Sequence, residues 1–542
     1  MSTLPAPTPV RHVIVQAGGK GTRLEHYCWN KPKCLVPING ATLLYSLFRH
    51  FDADTEFIVI GNHHFDVLER VVTTFPPQHR VRLVRGRIPG TIDGLADAIA
   101  LLPNDVTPFL LVWSDIYFEE RPQAVMDAPD NVLTVGVTRS FPCRWRMGQN
   151  HLLEERATPT EGVFGLFKIP DRTWLAGLPA AGGEFVRWLS QRKLPLRREY
   201  FDRVNEYGTL EALHSCWAES SYCRFFNEVS FVGDTVVKKA KFASHAHLIA
   251  DELAWYRYVQ DRGYTNTPRV LAAEPMTLER VTGRHPFDLP SNFKNRRRVL
   301  ERVFDALGAL HALAPATPAN LGDAQQVYLE KTLQRLTNFQ SLVPEYSARP
   351  TIHVNGYPCR NPLHPDHRAW FQSMVESVMP AEFTVIHGDP TFSNTLVTDA
   401  DEVRFIDPRG RFGGSAIFGD PMYDWAKLYY SVVGGYDQFN RRQFLLSLDG
   451  ENVEVSIRNS GWAHLSGLFE ARFQPSELRQ IQILHAFIWL GLSGYVQDDY
   501  DSILGSFFKG ILELNHITKH ETHAQHPAQD LDLRSGRPAR AA

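Results

Sequence analysis

In the stretch "QAGGKGTRLEHYCWNKPKCLVP" (16–37), Gly18, Gly19 and Gly21 lead into Thr22 and Arg23, and Lys31 and Lys33 follow. Glycines after a strand let backbone N–H groups approach phosphate oxygens closely, and Arg23 and Lys33 can neutralise the charge that develops as pyrophosphate leaves. The chemistry implied is that of a triphosphate. A second polar cluster stands in "VIHGDPTFSNTLV" (385–397), where an apolar run ends in His387, Gly388 and Asp389, with Asn394 just beyond. In "DEVRFIDPRG" (401–410) another apolar run delivers Asp407. Two aspartates and an amide at the tips of neighbouring strands suit phosphoryl transfer: one aspartate orients a hydroxyl, while the asparagine and the second aspartate hold Mg²⁺ on the phosphates of ATP. A lone Gly-rich turn or Asp-Pro pair would be an ordinary turn, so the weight lies in the combinations.

These residues need elements to carry them. A chain of 542 residues exceeds what one hydrophobic core supports, and two domains are expected. From Val13 to about Leu213 short apolar runs ("HVIVQAGG", "EFIVIGN", "VRLVRG", "PFLLVWSD") alternate with longer mixed segments, the rhythm of a parallel α/β sheet. The rhythm then changes. "EVSFVGDTVVKKA" reads as two strands joined at Gly233-Asp234, followed by a helix around "HAHLIADELAWYRYVQ". Beyond Asn292 the apolar spacing is largely helical, which predicts a mostly helical body. The boundary is placed near residues 214–223. The segment 516–542 is polar and without period, and a disordered tail is expected there.

A 43% hydrophobic share, a 22% charged share and a net charge of −3 describe an ordinary globular chain with no basic excess for nucleic acid. The six cysteines are scattered without a CxxC pair, so reduced thiols are expected. The opening residues lack the pattern of a signal peptide, and no apolar run reaches the ~20 residues of a membrane span. A cytoplasmic enzyme without membrane insertion is therefore expected.

"AGGKGTRL" (17–24) and "KPKCLVP" (31–37) resemble the signature of nucleotidyltransferases that join an NTP to a sugar phosphate or phosphocholine. Further landmarks follow in order: "GTIDGLADAI" (90–99), "LLVWSDIYF" (110–118), "EGVFGLF" (161–167) and "NEYGTLEAL" (205–213). The resemblance implies a Rossmann-like nucleotidyltransferase domain over 1–215. It makes Gly18, Gly19, Gly21 and Thr22 nucleotide-binding, Arg23 and Lys33 catalytic, and Asp115 a ligand of Mg²⁺. Glu206 would be the second metal ligand, although the family more often has aspartate in that slot. Asp93 could lie near the base or the acceptor. The implied reaction is in-line attack of an acceptor phosphate or phosphonate oxygen on the α-phosphorus of an NTP. The base is expected to be cytosine, by resemblance to the phosphocholine-type cytidylyltransferases.

HGDxxxxN followed by ID resembles the aminoglycoside phosphotransferase and choline kinase group of protein-kinase-like small-molecule kinases. Supporting parts stand upstream in order. The resemblance makes Lys238 in "DTVVKKA" the expected phosphate-binding lysine, with Lys239 as the alternative, and Glu252 on the next helix its expected partner. "LERVTG" (278–283) matches the adenine hinge, and Asp424 in "GDPMYDWAKLYYS" matches a structural aspartate at a helix start. The resemblance covers 223–515 and implies a small β lobe plus a helical lobe. It makes Asp389 catalytic, and Asn394 and Asp407 metal ligands, with ATP as donor. "DPRGRFGG" departs from the choline kinases: Arg409 and Arg411 would favour an anionic or heavily hydroxylated acceptor, or else each pairs with a surface carboxylate. "DPRG" also resembles kinase domains of bacterial capsule and surface-polysaccharide biosynthesis.

A kinase that makes a phosphomonoester and a transferase that consumes one are consecutive steps. The expectation is activation of a small alcohol to its phosphate and then to an NDP-linked donor for a surface polymer. In the alternative, the first domain works on an independent phosphonate or sugar phosphate, and the second is a separate or regulatory module.

Overall fold

The computed structural model describes residues 8–88, 90–103, 107–148, 152–219, 227–290, 295–497 and 499–525. The first part is built on a nine-stranded sheet. Its parallel centre runs Arg80–Arg85, Glu56–Gly61, His12–Gln16, Phe109–Trp113, so that the first strand pairs on both sides. Both faces of that strand are covered: Val13, Ile14 and Val15 are each fully buried, as a near-continuous apolar run in a parallel sheet requires. The antiparallel strand Gly162–Ile169 extends the sheet beyond Phe109–Trp113. Leu133–Thr138 and Leu196–Tyr200 continue from there. The polar loops that follow His12–Gln16 and Phe109–Trp113 leave the same sheet end.

The second part starts with an antiparallel four-stranded sheet in the order Asn227–Val232, Thr235–Ala240, Met276–Glu279, Val270–Ala273. The helix Ala246–Gln260 lies against it and buries Glu252, Trp255, Tyr256 and Val259, with Trp255 donating to the Ile386 carbonyl and the Tyr256 hydroxyl accepting from the Asp407 amide. The helical body is centred on Arg296–His311, Lys331–Leu342, Pro421–Val432, Pro475–Leu492 and Tyr500–Gln525. Of the boundary placed near 214–223, residues 220–223 lie outside the described residues, as do 224–226.

Two features correct the sequence reading. The mostly helical body contains a further four-stranded sheet, Tyr357–Arg360, Thr351–Val354, Asn452–Ile457, Phe444–Asp449. Its two hairpins turn at Asn355-Gly356 and Gly450-Glu451, with Gly356 and Gly450 at positive φ. An Asn-Gly pair between alternating residues is a hairpin signal that helical periodicity nearby conceals. Of the tail expected over 516–542, residues 516–525 continue the C-terminal helix, to Gln525, and residues 526–542 lie outside the described residues. Helix propagation adds one hydrogen bond per residue even where the sequence lacks an apolar stripe.

The two parts are joined by a buried contact. Lys31 Nζ lies 2.7 Å from both Asp499 and Asp501 and is 1% exposed. Asn30 donates to the Leu446 carbonyl at 2.9 Å and to Asp501 at 3.1 Å. Arg70, on the helix Phe65–Thr74, pairs with Glu345 at 2.9 Å. Cys28, Cys34, Cys143, Cys216 and Cys359 are buried thiols outside any disulfide, while Cys223 is outside the described residues. Among the described residues no helix is long and apolar enough to cross a membrane.

Candidate active sites

The first site forms where two strand ends meet. Ile116–Phe118 pairs antiparallel with Val204–Glu206 so that Glu206 stands opposite Ile116. The Tyr207 amide then donates to the Asp115 carbonyl at 3.1 Å, which brings Asp115 and Glu206 together. The glycine loop after His12–Gln16 carries cations to the same point. Lys33 Nζ lies 2.5 Å from Asp115, and Arg23 lies 3.1 Å from Glu206. Gly208 sits between them: a Cβ there would come within 2.3 Å of Glu206 Oε1, 2.9 Å of Lys33 Nζ and 3.0 Å of Arg23. Any larger residue would push the cluster apart.

Gly18, Gly19, Gly21 and Thr22 follow the strand in an exposed or half-exposed loop. Gly21 has φ 66°, and a Cβ would meet Cys28 Sγ at 2.6 Å, so only glycine fits the turn that sends Arg23 back toward the carboxylates. Asp93 is spent locally, accepting from the amides of Arg87 and Ile88 at 2.5 and 2.9 Å. Lys31, the neighbour of Lys33 in sequence, leaves this site for the contact with the second part.

The second site is organised by the hairpin Thr395–Val397 with Val403–Phe405. The register sets Asn394 beside the residues after Phe405, and the Ile406 amide donates to the Asn394 carbonyl at 2.9 Å. Asn394 Nδ2 in turn donates to the Asp389 carbonyl at 2.8 Å. Asp424, at the first turn of Pro421–Val432, accepts from the amides of His387 and Gly388, both at 2.7 Å, and so fixes the loop that presents Asp389. Lys238 Nζ lies 2.6 Å from Glu252 and also pairs with Asp407. Burial works against the Lys238 charge, but Asp407 and Glu252 outweigh it and hold the pKa above the ordinary lysine value. Lys239 is exposed on the opposite face of the strand, as alternation demands. Residues 280–284 cross to the second lobe, where Arg284 and Val397 exchange backbone hydrogen bonds at 2.8 and 2.9 Å.

Residues 224–451 match the family described as "Phosphotransferase enzyme family". The C-terminal part carries a phosphotransferase-family domain. No curated protein matches the chain. Among solved structures, the chain resembles the inositol-1-phosphate CTP transferase from T. maritima, with 14% identity over 40% of this chain and 99% of that one (TM-score 0.32). It also resembles HddC from Yersinia pseudotuberculosis complexed with GMP-PN, with 17% identity over 38% of this chain and 98% of that one (TM-score 0.34). A third is the CTP:phosphocholine cytidylyltransferase from Streptococcus pneumoniae, with 16% identity over 38% and 97% (TM-score 0.30).

In the phosphotransferase-family domain the two arginines of "DPRGRFGG" divide. Arg411 pairs with Asp251 at 3.0 Å on an exposed edge, the plain salt bridge. Arg409 pairs with Asp389 itself at 2.9 Å, and that carboxylate raises the arginine's pKa. Gly388 at φ 81° permits this: a Cβ there would stand 2.8 Å from Arg409 Cβ.

Sequence reasoning missed Lys427, 3.1 Å from Asp389. It stands one helical turn beyond Asp424, and the i, i+3 spacing was the available signal. It also missed Lys331 and Arg335, which line the cavity beside Asp389 from a distant helix. No local pattern connects them to it.

Among the described residues no group of three or more His, Cys, Asp or Glu side chains is placed to hold a metal ion. The donors present fit Mg²⁺ of the kind that keeps waters and substrate phosphates around one or two protein oxygens. Asp115 with Glu206 would hold it in the first site, and Asp407 with the Asn394 side-chain oxygen in the second.

Proposed function

We propose that the chain is a bifunctional enzyme: its phosphotransferase-family domain phosphorylates a small alcohol with ATP, and its N-terminal domain transfers a nucleotidyl group, CMP from CTP, to that phosphate. The observation that carries this reading is that one chain holds two separate sets of cations and carboxylates in contact. One is Arg23, Lys33, Asp115 and Glu206; the other is Lys238, Glu252, Asp389, Asn394 and Asp407. The product is an NDP-linked donor of the kind used for surface polymers.

In the kinase site Lys238, oriented by Glu252, binds nucleotide phosphate, and Asp389 orients the acceptor hydroxyl and takes its proton. When bound, Mg²⁺ would offset charge on the transferring phosphoryl oxygens. In the transferase site the amides around Gly18, Gly19 and Gly21 receive triphosphate oxygens. Arg23 and Lys33 stabilise the charge that moves onto the departing pyrophosphate. Both lysines are held by carboxylates before substrate arrives, so their heads are oriented in advance. Phosphate exchanges one anionic partner for another.

The test incubates the full chain with ATP, CTP and Mg²⁺ against polyols, amino alcohols, hydroxy acids and sugars. Asp389→Ala is expected to lower ATP-dependent phosphorylation by about 10² or more while pyrophosphate release from CTP and the ready-made phosphate persists. Lys33→Ala and Asp115→Ala should do the reverse. If either class of variant leaves both activities intact, the division of labour is wrong.

A further inference from the structure

A cavity of ≈ 120 Å³ opens beside Asp389, bordered by Lys331, Arg335, Arg409, Lys427, Tyr423 and Tyr495. Such a space corresponds to about four waters at liquid density, the scale of a small polar molecule. Gly388 and Asp389 border it, whereas Lys238, Glu252, Asn394 and Asp407 do not. It therefore lies on the acceptor side of Asp389, away from the ATP phosphates.

Its charge is unbalanced. Arg409 and Lys427 share the one carboxylate of Asp389, at 2.9 and 3.1 Å. Arg335 donates to the Gly491 carbonyl at 3.1 Å and has no carboxylate partner among the described residues. Lys331 has none either. Four cations thus face one carboxylate, which leaves three positive charges uncompensated. Like charges gathered in a concave wall repel one another until a counter-charge enters. The backbone is also specialised here: a π-helical turn at Gln326–Glu330 directly precedes Lys331, and the residues before and after it, Val327, Tyr328, Thr332 and Arg335, line the same cavity. Such turns recur at functional sites.

Resting on the kinase reading, we propose that the alcohol phosphorylated in this domain carries an anionic group of its own, a carboxylate, phosphate or phosphonate, held by Lys331, Arg335 and Lys427 while its hydroxyl meets Asp389. The hydroxyl oxygen bonds to the γ-phosphorus of ATP. The bond from that phosphorus to the β-phosphate oxygen breaks, ADP leaves with the electron pair, and the hydroxyl proton passes to Asp389. The product is a phosphomonoester that keeps its first anionic group, and the N-terminal site then receives a doubly anionic acceptor. A quaternary amine would meet the repulsion of all four cations.

The experiment measures ADP release by the full chain on matched compounds: glycerate and glycerol 3-phosphate against glycerol, and 2-hydroxyethylphosphonate against ethylene glycol, ethanolamine and choline. At least one anion is expected to exceed its uncharged and cationic counterparts by about tenfold or more in kcat/KM. Lys331→Met and Arg335→Met should raise the KM for that anion by about tenfold while the KM for ATP stays within about twofold. Lys331→Arg should retain the preference, which separates loss of charge from loss of fold. Preference for a neutral or cationic alcohol would overturn the inference and leave the kinase reading standing. An equal rise in the KM for ATP would overturn it too, by assigning the cations to the transferred phosphate. Absence of ADP release with every compound would remove the kinase reading itself.

Discussion

The cations around Asp389 differ in how firmly they keep their protons. Partial desolvation pushes Lys331 down to about 8, and Arg335, Arg409 and Lys427 push the same way, against the pull of Asp389. A lysine that binds an anion must be protonated, so its contribution is present below about pH 8 and fades above it. The acceptor KM is therefore expected to be flat between about pH 6 and pH 7.5 and to rise beyond about pH 8. The Lys331→Met variant should lack that rise, because the group whose proton is lost there has been removed. A lowered lysine pKa also means that the unfolded chain binds the proton more tightly, so stability increases as pH rises from about 8 toward the ordinary value. Lys331→Met should consequently keep or raise the melting temperature at neutral pH. A fall in melting temperature alongside the weaker acceptor binding would point to structural damage instead.

The elements around the kinase site act mainly as clamps. Pro421–Val432 carries in its first turn Asp424, fully buried, whose two oxygens take the amides of His387 and Gly388 while His311 approaches at 3.1 Å. Asp424→Ala would leave two buried amides without acceptors, a cost of about 2 to 5 kcal/mol. Turnover should fall by about tenfold or more with both substrate KM values little changed, measured by steady-state kinetics and denaturant unfolding. Asp424 was legible in the sequence through the resemblance of "GDPMYDWAKLYYS" to the phosphotransferase group. The strand that leads to Asp407 was legible too, whereas its three-residue antiparallel partner Thr395–Val397 was not. The sheet of Tyr357–Arg360 and its partners was not: its strands are interleaved with helices, and two short hairpins far apart in sequence give no periodic signal that they share one sheet. The ladder joining Glu206 to Asp115 is similar, because three-residue strands fall below any pattern.

At the scale of the molecule, the segment between Arg23 and Lys33 is anchored in the other domain. Lys31 is fully buried and is held charged by Asp499 and Asp501, although burial alone would lower its pKa. Asp499 is also within 3.5 Å of Arg442. Removing the lysine would strand two buried carboxylates. Lys31→Met is expected to cost about 3 to 5 kcal/mol and to split calorimetric unfolding into separate domain transitions. A single unshifted transition would show that the contact adds no stability. Because this segment carries Arg23 and Lys33, loosening it should also weaken pyrophosphate release more than phosphorylation. On the proposed function, joining the two sites in one chain would keep the phosphomonoester near its second site at a raised local concentration.

By itself the sequence determined the mixed α/β class, the phosphotransferase-family part and the order of the motifs, because each motif places its polar residues within a few positions of a strand end. The tertiary structure alone decided which of two neighbouring cations does what. Lys238 turns inward and Lys239 outward; Lys33 meets Asp115 while Lys31 crosses to Asp499; Arg409 faces Asp389 while Arg411 meets Asp251. It also decided that Lys331, Arg335 and Lys427 belong to one cavity. Charge pairing depends on distance in space, and residues far apart in the chain leave no mark of it in their local order.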